Sequence, residues 1–386
     1  MKHLSVALWT LLCVIVLGAC GSGEVCSMEE FSQVRYAPAY ASGFDIRGAE
    51  GVASTIITAR NPWQGAEDVE QQLLIARNGE KAPKGFVGQV LNGEARRVVC
   101  MSSTYVAMID ALDCVDRVVG VSGIDYIYND HVQAAAEKGR VRDVGHDSDV
   151  NFELLLSLQP DIVLIYGVSG ENGTANAKLR ELNIPYFYFG DYVEESPLGK
   201  AEWIVAMAEI LGLSERGEEC FRQIEGRYLS IVERLNAEEG LSRPTVMFNT
   251  PYRDTWYMPS SRSYAVRLVY DAGGRYIYEG NSGTTSTPID LEQAYVLTRS
   301  ADYWINVGQV ASIEALKRAN PRFADAKAVR EGRIYSSDRR VTAAGGSDFW
   351  ESAVVNPDVV LADLVAILHP ELNIVGDELT YYKRIE

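Results

Sequence analysis

Five short apolar runs in this chain end in residues of one kind: Ser102-Ser103, Ser122-Gly123, Gly145-His146, Tyr166-Gly167 and Gly190-Asp191. The ends are mostly small, hydroxylated or aromatic, and they suit an open surface that faces a ligand. Covalent chemistry has less support. No P-loop and no G-x-G-x-x-G leads from a strand into a helix. In GVSGENG (167–173) Ser169 is followed at once by Gly170, so the nucleophile elbow G-x-S-x-G is not formed. A secreted hydrolase would have to combine Ser169 with His131 or His146, and neither histidine has a recognisable partner pattern. The expectation is a binding protein, not an enzyme.

A naked metal ion is an equally poor fit. Such a site needs several His or carboxylates converging on the ion. The chain has four His, at 3, 131, 146 and 369; the first lies in a leader and the last closes a predicted terminal helix. Six Cys lack metal-type spacing. Cys100 and Cys114 could pair, but both sit in apolar segments where free thiols are common. No metal site, cofactor or disulfide is therefore expected.

The runs that carry these ends alternate with helical patterns. RVVCMS, RVVGVSG, RDVGH, DIVLIYG and PYFYFG read as strands, with helices at 103–112, 151–157 and 174–182. Such alternation implies a largely parallel sheet with its ligand beyond the C-terminal strand ends. A helical region from Leu198 to about Glu239 follows, broken at Gly212. A second block repeats the plan, with strands RPTVMFN, DTWYMP, RYIYEG, DYWINVG and GRIYSSD and helices at 263–271, 290–298, 311–319 and 357–368. Residues 36–95 differ, with short β-rich runs broken by Gly, Asn and Pro. The fold class expected is α/β: two Rossmann-like lobes with mostly parallel sheets, joined by a long connecting helix, plus a small β-rich N-terminal extension. The boundaries read as signal peptide 1–19, tether 20–35, extension 36–95, first lobe 96–195, connecting helix 196–240 and second lobe 241–386.

The leader LSVALWTLLCVIVLGAC ends in small residues before Cys20, as a lipoprotein signal does, which makes Cys20 the expected lipidation site. No later run is long enough to span a membrane. The net charge of −17 disfavours nucleic acid, whose binding rests on Lys and Arg at phosphates.

The series RVVCMSSTYVAMIDAL, VVGVSG, NFELLLSLQPDIVLIYG, LGKAEWIVAMAEILGL, SYAVRLVYDAGG and YWINVG resembles the helix-linked substrate-binding proteins of ABC importers, which take ferric siderophores, haem or cobalamin. The tail GGSDFWESAVVNPDVVLADLVAILHPEL and the NPWQGA segment are similar to a Bacteroidetes lipoprotein subgroup. The resemblance implies a cleft between the lobes, walled by the loop after the first strand with Ser102, Ser103 and Thr104. Of 21 Tyr, it places Tyr126, Tyr128, Tyr166, Tyr252 and Tyr257 there, with Trp256 and Trp350. Broad aromatic faces suit a large planar or macrocyclic chelate. Arg253, Arg262, Arg339 and Arg340 would meet its negative groups. The implied cargo is a metal chelate, a ferric siderophore first, with cobalamin or haem as alternatives. The implied partners are a permease and its ATPase in the inner membrane, docked through Glu171 and Glu314. The implied state is a monomer anchored by lipid in the cell envelope and facing the periplasm. A surface capture lipoprotein without such partners is the remaining class.

Overall fold

The computed structural model describes residues 26–386 except 147, 168–173, 284 and 374–377, so the leader, Cys20, Ser169 and Glu171 lie outside the described residues. The chain opens with Gln33–Tyr36 (β1), Phe44–Gly48 (β2), Thr55–Arg60 (β3), Glu70–Ala76 (β4) and Gln89–Asn92 (β5). These five form one sheet in chain order, antiparallel until β5 joins β4 in parallel. Its first strand thus starts inside the segment expected to be a tether.

The first lobe follows as Val98–Cys100 (β6), Ser103–Ala111 (α1), Val118–Val121 (β7), Asp130–Glu137 (α2), Arg142–Asp143 (β8), Phe152–Ser157 (α3), Ile162–Ile165 (β9), Thr174–Glu181 (α4) and Tyr186–Tyr188 (β10). All its strands pair in parallel, in the order β10-β9-β6-β7-β8. The direction of winding reverses between β6 and β9, and in open α/β sheets that reversal leaves a crevice beyond the strand ends. Met101-Ser102 and Tyr166 stand at that point. Expected strand RDVGH shortens to the two residues of β8, and α2 is a helix that the periodicity did not reveal.

The connecting region is two helices, Pro197–Ile210 (α5) and Ser214–Ala237 (α6), not one. Gly212 turns the chain between them with φ of +71°, a backbone that glycine adopts without strain. In α5 every residue but Lys200 is buried, so it is a core element; α6 buries only Gly217 and the stripe Phe221, Ile224, Tyr228 and Leu235. At 24 residues α6 is about 36 Å long, enough to reach from one lobe to the other.

The second lobe comprises Thr245–Phe248 (β11), Trp256–Met258 (β12), Tyr264–Asp271 (α7), Arg275–Tyr276 (β13), Thr287–Ile289 (β14), Leu291–Ser300 (α8), Tyr303–Ile305 (β15), Ile313–Ala319 (α9), Lys327–Arg330 (α10), Ile334–Ser336 (β16), Pro357–Leu368 (α11) and Lys383–Arg384 (β17). Its sheet runs β13-β11-β15-β16-β17, parallel except for β17. The expected strand DTWYMP does not join it; β12 pairs antiparallel with β14 in a separate ribbon. Cys26, Cys100, Cys114 and Cys220 are free thiols, and burial raises the pKa of Cys100 and Cys114.

Carboxylates on and beside α5 strap the extension to the first lobe. Glu202 has no exposed surface, yet it accepts bonds from the amides of Ala39 (2.8 Å), Tyr40 (2.8 Å) and Ala41 (2.7 Å) and from the Tyr36 hydroxyl (2.7 Å). Glu194 accepts from the amides of Ser42 and Gly43 and, at 2.9 Å, from Trp203 Nε1. Burial opposes ionisation of Glu209, but Ser214, Thr55 and Arg77 outweigh it and hold its pKa below the usual range. A buried charge is tolerable only when hydrogen bonds replace its hydration. Glu202→Ala would orphan three backbone donors, and we expect it to lower stability by roughly 3–5 kcal/mol in urea unfolding. A loss under about 1 kcal/mol would show that other contacts hold the strap.

Candidate functional site

A cavity of about 230 Å³ lies between the strand ends of the first lobe and helices α7 and α11 of the second. From the first lobe come Ser102, Thr104, Tyr105 and Tyr166, and then Asp191 and Tyr192 just past β10. Pro197 and Lys200 enter from the first turn of α5. The second lobe supplies Tyr264, Leu268, Phe349, Trp350, Ala353, Val354, Pro357 and Val360. The walls are thus largely aromatic and aliphatic, and the charged groups collect on one side.

Those charged groups are Asp191 and Lys200. Asp191 is 1% exposed; burial pushes its carboxyl up to about 6 against the pull of Lys200. The Lys200 ammonium donates to the Asp191 carbonyl oxygen at 2.9 Å, stands 4.0 Å from Asp191 Oδ2 and lies 4.8 Å from the centre of the Tyr264 ring. Burial lowers the Lys200 pKa, and Asp191 partly restores it. Burial also raises the phenols of Tyr105, Tyr192 and Tyr264. The extension reaches this wall too: the Gln64 amide donates to the Tyr192 hydroxyl at 3.1 Å, and a β-carbon on Gly167 would fall 2.6 Å from the Trp63 side chain.

Around the cavity the lobes meet through a polar seam. Glu351, 2% exposed, accepts from the amides of Tyr128 (2.7 Å) and Asn129 (2.8 Å) at the start of α2, where a helix N-terminus favours negative charge. Thr342 donates to the Asp125 carbonyl at 2.8 Å, Ser103 donates to the Trp350 carbonyl at 3.4 Å, and Arg340 stacks over Tyr128 at 5.1 Å. Arg262 pairs with Glu195 at 2.8 Å, just before α5. The approach is tight: a β-carbon on Gly346 would lie 2.1 Å from the Tyr126 carbonyl oxygen.

The structure therefore divides the residues singled out from sequence. Ser102, Thr104, Tyr166 and Trp350 line the cavity, although Ser102 also caps α1 through the Thr104 amide. Ser103, Tyr126, Tyr128 and Arg262 belong to the seam. Tyr252, Arg253 and Tyr257 are exposed on the second lobe and do not reach the cavity. Trp256 is a correction: it is a core residue, fully buried against Trp304 and Phe323, with its Nε1 donating to the Phe248 carbonyl. Arg339 pairs with Glu378 inside its own lobe. Glu314 is exposed in the first turn of α9, where a bond to Lys317 lowers its pKa. His131 and His146 are exposed, beside Asp110 and Ser122, and neither lines the cavity.

Sequence reading missed Tyr105, Tyr192, Lys200 and Tyr264 in the walls and Glu351 in the seam. The available signal was charge inside an apolar helix: Lys200 stands in PLGKAEWIVAMAEI, whose other positions are buried.

Glu351 makes stability depend on pH. Burial first, with Asp348 adding to it, raises its carboxyl from about 4.5 to about 7 despite two amide bonds. The folded protein then holds a proton that the unfolded chain releases between those values, so stability falls as pH rises through that window. Glu351→Gln carries no titrating proton. We expect the wild-type urea midpoint to drop more than the variant's between pH 5 and 7.5; parallel curves would refute this.

The family of periplasmic binding proteins matches residues 98–341. An uncharacterised lipoprotein of Methanocaldococcus jannaschii is 29% identical over 318 residues, covering 78% of this chain and 73% of its own. A periplasmic binding protein from Veillonella parvula superposes with a TM-score of 0.57 at 18% identity, over 82% of this chain and 99% of its own. A periplasmic haem-binding protein from Pseudomonas aeruginosa gives 0.55 at 18% identity, over 76% and 98%. At such identities the two structures speak for the two-lobed fold, and the family match covers both lobes. This chain belongs to the periplasmic binding proteins.

Proposed function

We propose that this protein is the lipid-anchored substrate-binding component of an ABC importer, which captures a metal chelate, a ferric siderophore first, and delivers it to a permease coupled to an ATPase. The observation that carries this is the aromatic cavity at the reversal point of the first lobe, closed by the second lobe across a polar seam. Aromatic walls suit the organic body of a chelate more than a bare cation, which needs converging His, Cys or carboxylate ligands. Among the described residues, no three such side chains gather to hold an ion. Pockets for drug-sized ligands span about 300–1,000 Å³. A cavity of about 230 Å³ seats part of a chelate, so the body would rest at the mouth against Trp350, which is 58% exposed.

Titration of the purified protein with a ferric hydroxamate siderophore, haem, cyanocobalamin, Zn²⁺ and Mn²⁺, followed by tryptophan quenching and visible absorption, tests the reading. One chelate should bind, and Trp350→Ala should weaken it about tenfold. Tight binding of a free ion alone would overturn the proposal. Anchoring is tested separately by fractionation with labelled palmitate. Wild type should carry label in the membrane fraction, and Cys20→Ser should lose it; equal label on both would remove Cys20 as the lipid site.

A further inference from the structure

We propose that Asp191 and Lys200 form a neutral donor–acceptor anchor in the cavity, which takes a carboxamide-type group of the cargo and rejects a carboxylate. The inference rests on the reading of this cavity as the cargo site. Lys200 directs one N–H to the Asp191 carbonyl oxygen at 2.9 Å; at 4.0 Å it forms no hydrogen bond with Oδ2. Asp191 Oδ2 is buried and has no hydrogen-bond partner among the described residues. The cavity is therefore lined by a residue with one unpaired acceptor just beneath its surface, beside an ammonium that spends one N–H on the Asp191 carbonyl, among apolar walls.

The charges of the pair cancel, and that decides what they accept. A carboxylate would bring net negative charge into an apolar enclosure and offer Asp191 nothing to accept. An ammonium group would satisfy Asp191 but oppose Lys200. The carboxylate adds to the negative side made by Asp191 and Glu194, and the ammonium stands against Lys200; both are unfavourable in a buried site. A carboxamide is neutral, donates N–H to Oδ2 and accepts from Lys200 through its carbonyl. It satisfies both groups without changing the net charge. The Tyr264 ring beside Lys200 and the other rings around the cavity suit an aromatic or otherwise planar body attached to that amide.

Benzamide, benzoate and benzylammonium are small enough to probe the anchor alone, by ligand-observed NMR and Trp350 fluorescence on the full folded chain. At pH 7.5 benzamide should bind at least about tenfold tighter than either ion. Asp191→Asn should narrow the benzamide-to-benzoate ratio to within about threefold, and Lys200→Met should weaken benzamide. A second reading needs no variant. Asp191 faces Lys200, Glu194 and the phenols of Tyr105, Tyr192 and Tyr264, and burial pushes its carboxyl up to about 6, so at pH 5.5 it becomes a donor and the wild-type preference over benzoate should shrink. Benzoate binding as well as benzamide at pH 7.5, a ratio unmoved by both Asp191→Asn and pH, or no binding of benzamide would each overturn the anchor. Amide preference without any chelate binding would retain the anchor and remove the chelate reading. Chelate binding without amide preference would do the reverse.

Discussion

The buried carboxylate of Glu202 is the constraint on which much of this molecule hangs. It sits in α5 and forms no ion pair among the described residues; its oxygens are held by three amides and a phenol from residues 36–41. An anion without water is stable only when several donors converge on it, and these donors come from the end of β1 and the turn that follows it. The turn therefore has to wrap α5, and the extension is fixed to the first lobe wherever that wrapping occurs. Below it Phe44 packs on Trp203, and Trp203 on Phe189 at the end of the first-lobe sheet. One helix thus carries the strap on one side and Lys200 on the other. What holds the extension also holds the charged side of the cavity.

The lobes look alike in sequence but wind differently. Counted from its own first strand, the first lobe runs 3-2-1-4-5 and the second 2-1-3-4-5, so their reversal points fall at different places in the two sheets. In the first lobe the point is open and ends in Ser102 and Tyr166. In the second the corresponding strands end at Asn249 and Asn306, both with positive φ, above the buried indoles of Trp256 and Trp304. The second lobe contributes instead the faces of α7 and α11 and the Phe349-Trp350 turn. The division of labour is chemical as well: polar groups come from the first lobe and α5, and apolar cover from the second.

This asymmetry explains what the sequence could show. Strand ends and most helices were legible because period and turn residues are local. Ser102, Tyr166 and Asp191 fell at strand ends for that reason, although only the fold shows that Asp191 faces inward. α2 was not legible: NDHVQAAAEK carries little apolar periodicity, and its start depends on Asn129 capping Val132 and on Glu351 from the other lobe. Trp256 was misplaced because an aromatic within a short strand reads the same whether it faces a cleft or a core. Its antiparallel pairing with β14 decides the matter, and that partner lies some thirty residues on. Lys200 and Glu202 are two residues apart on α5, yet one turns to the cavity and the other to the strap; periodicity registers both as breaks in an apolar helix.

The seam completes the physical picture of closure. Apolar walls alone would draw the lobes together without setting their register, since burial of apolar area is non-directional. Beside the Ser103–Trp350 bond, three directional contacts are the Glu351 clasp on α2, the Thr342–Asp125 bond and the Arg340–Tyr128 stack. All three join residues 340–351 to residues 125–129, so one rim of the cavity is fixed in two dimensions. Across the first turn of α5 the rim is held by Arg262–Glu195, whose partners are 56% and 42% exposed and therefore weakly coupled. The exposed ion pair on the α5 side is therefore the weaker of the two polar fastenings, and the buried clasp the stronger. That weaker side is also where Lys200 stands over the Tyr264 ring of the second lobe, so the charged pair lies beside the looser fastening and away from the clasp.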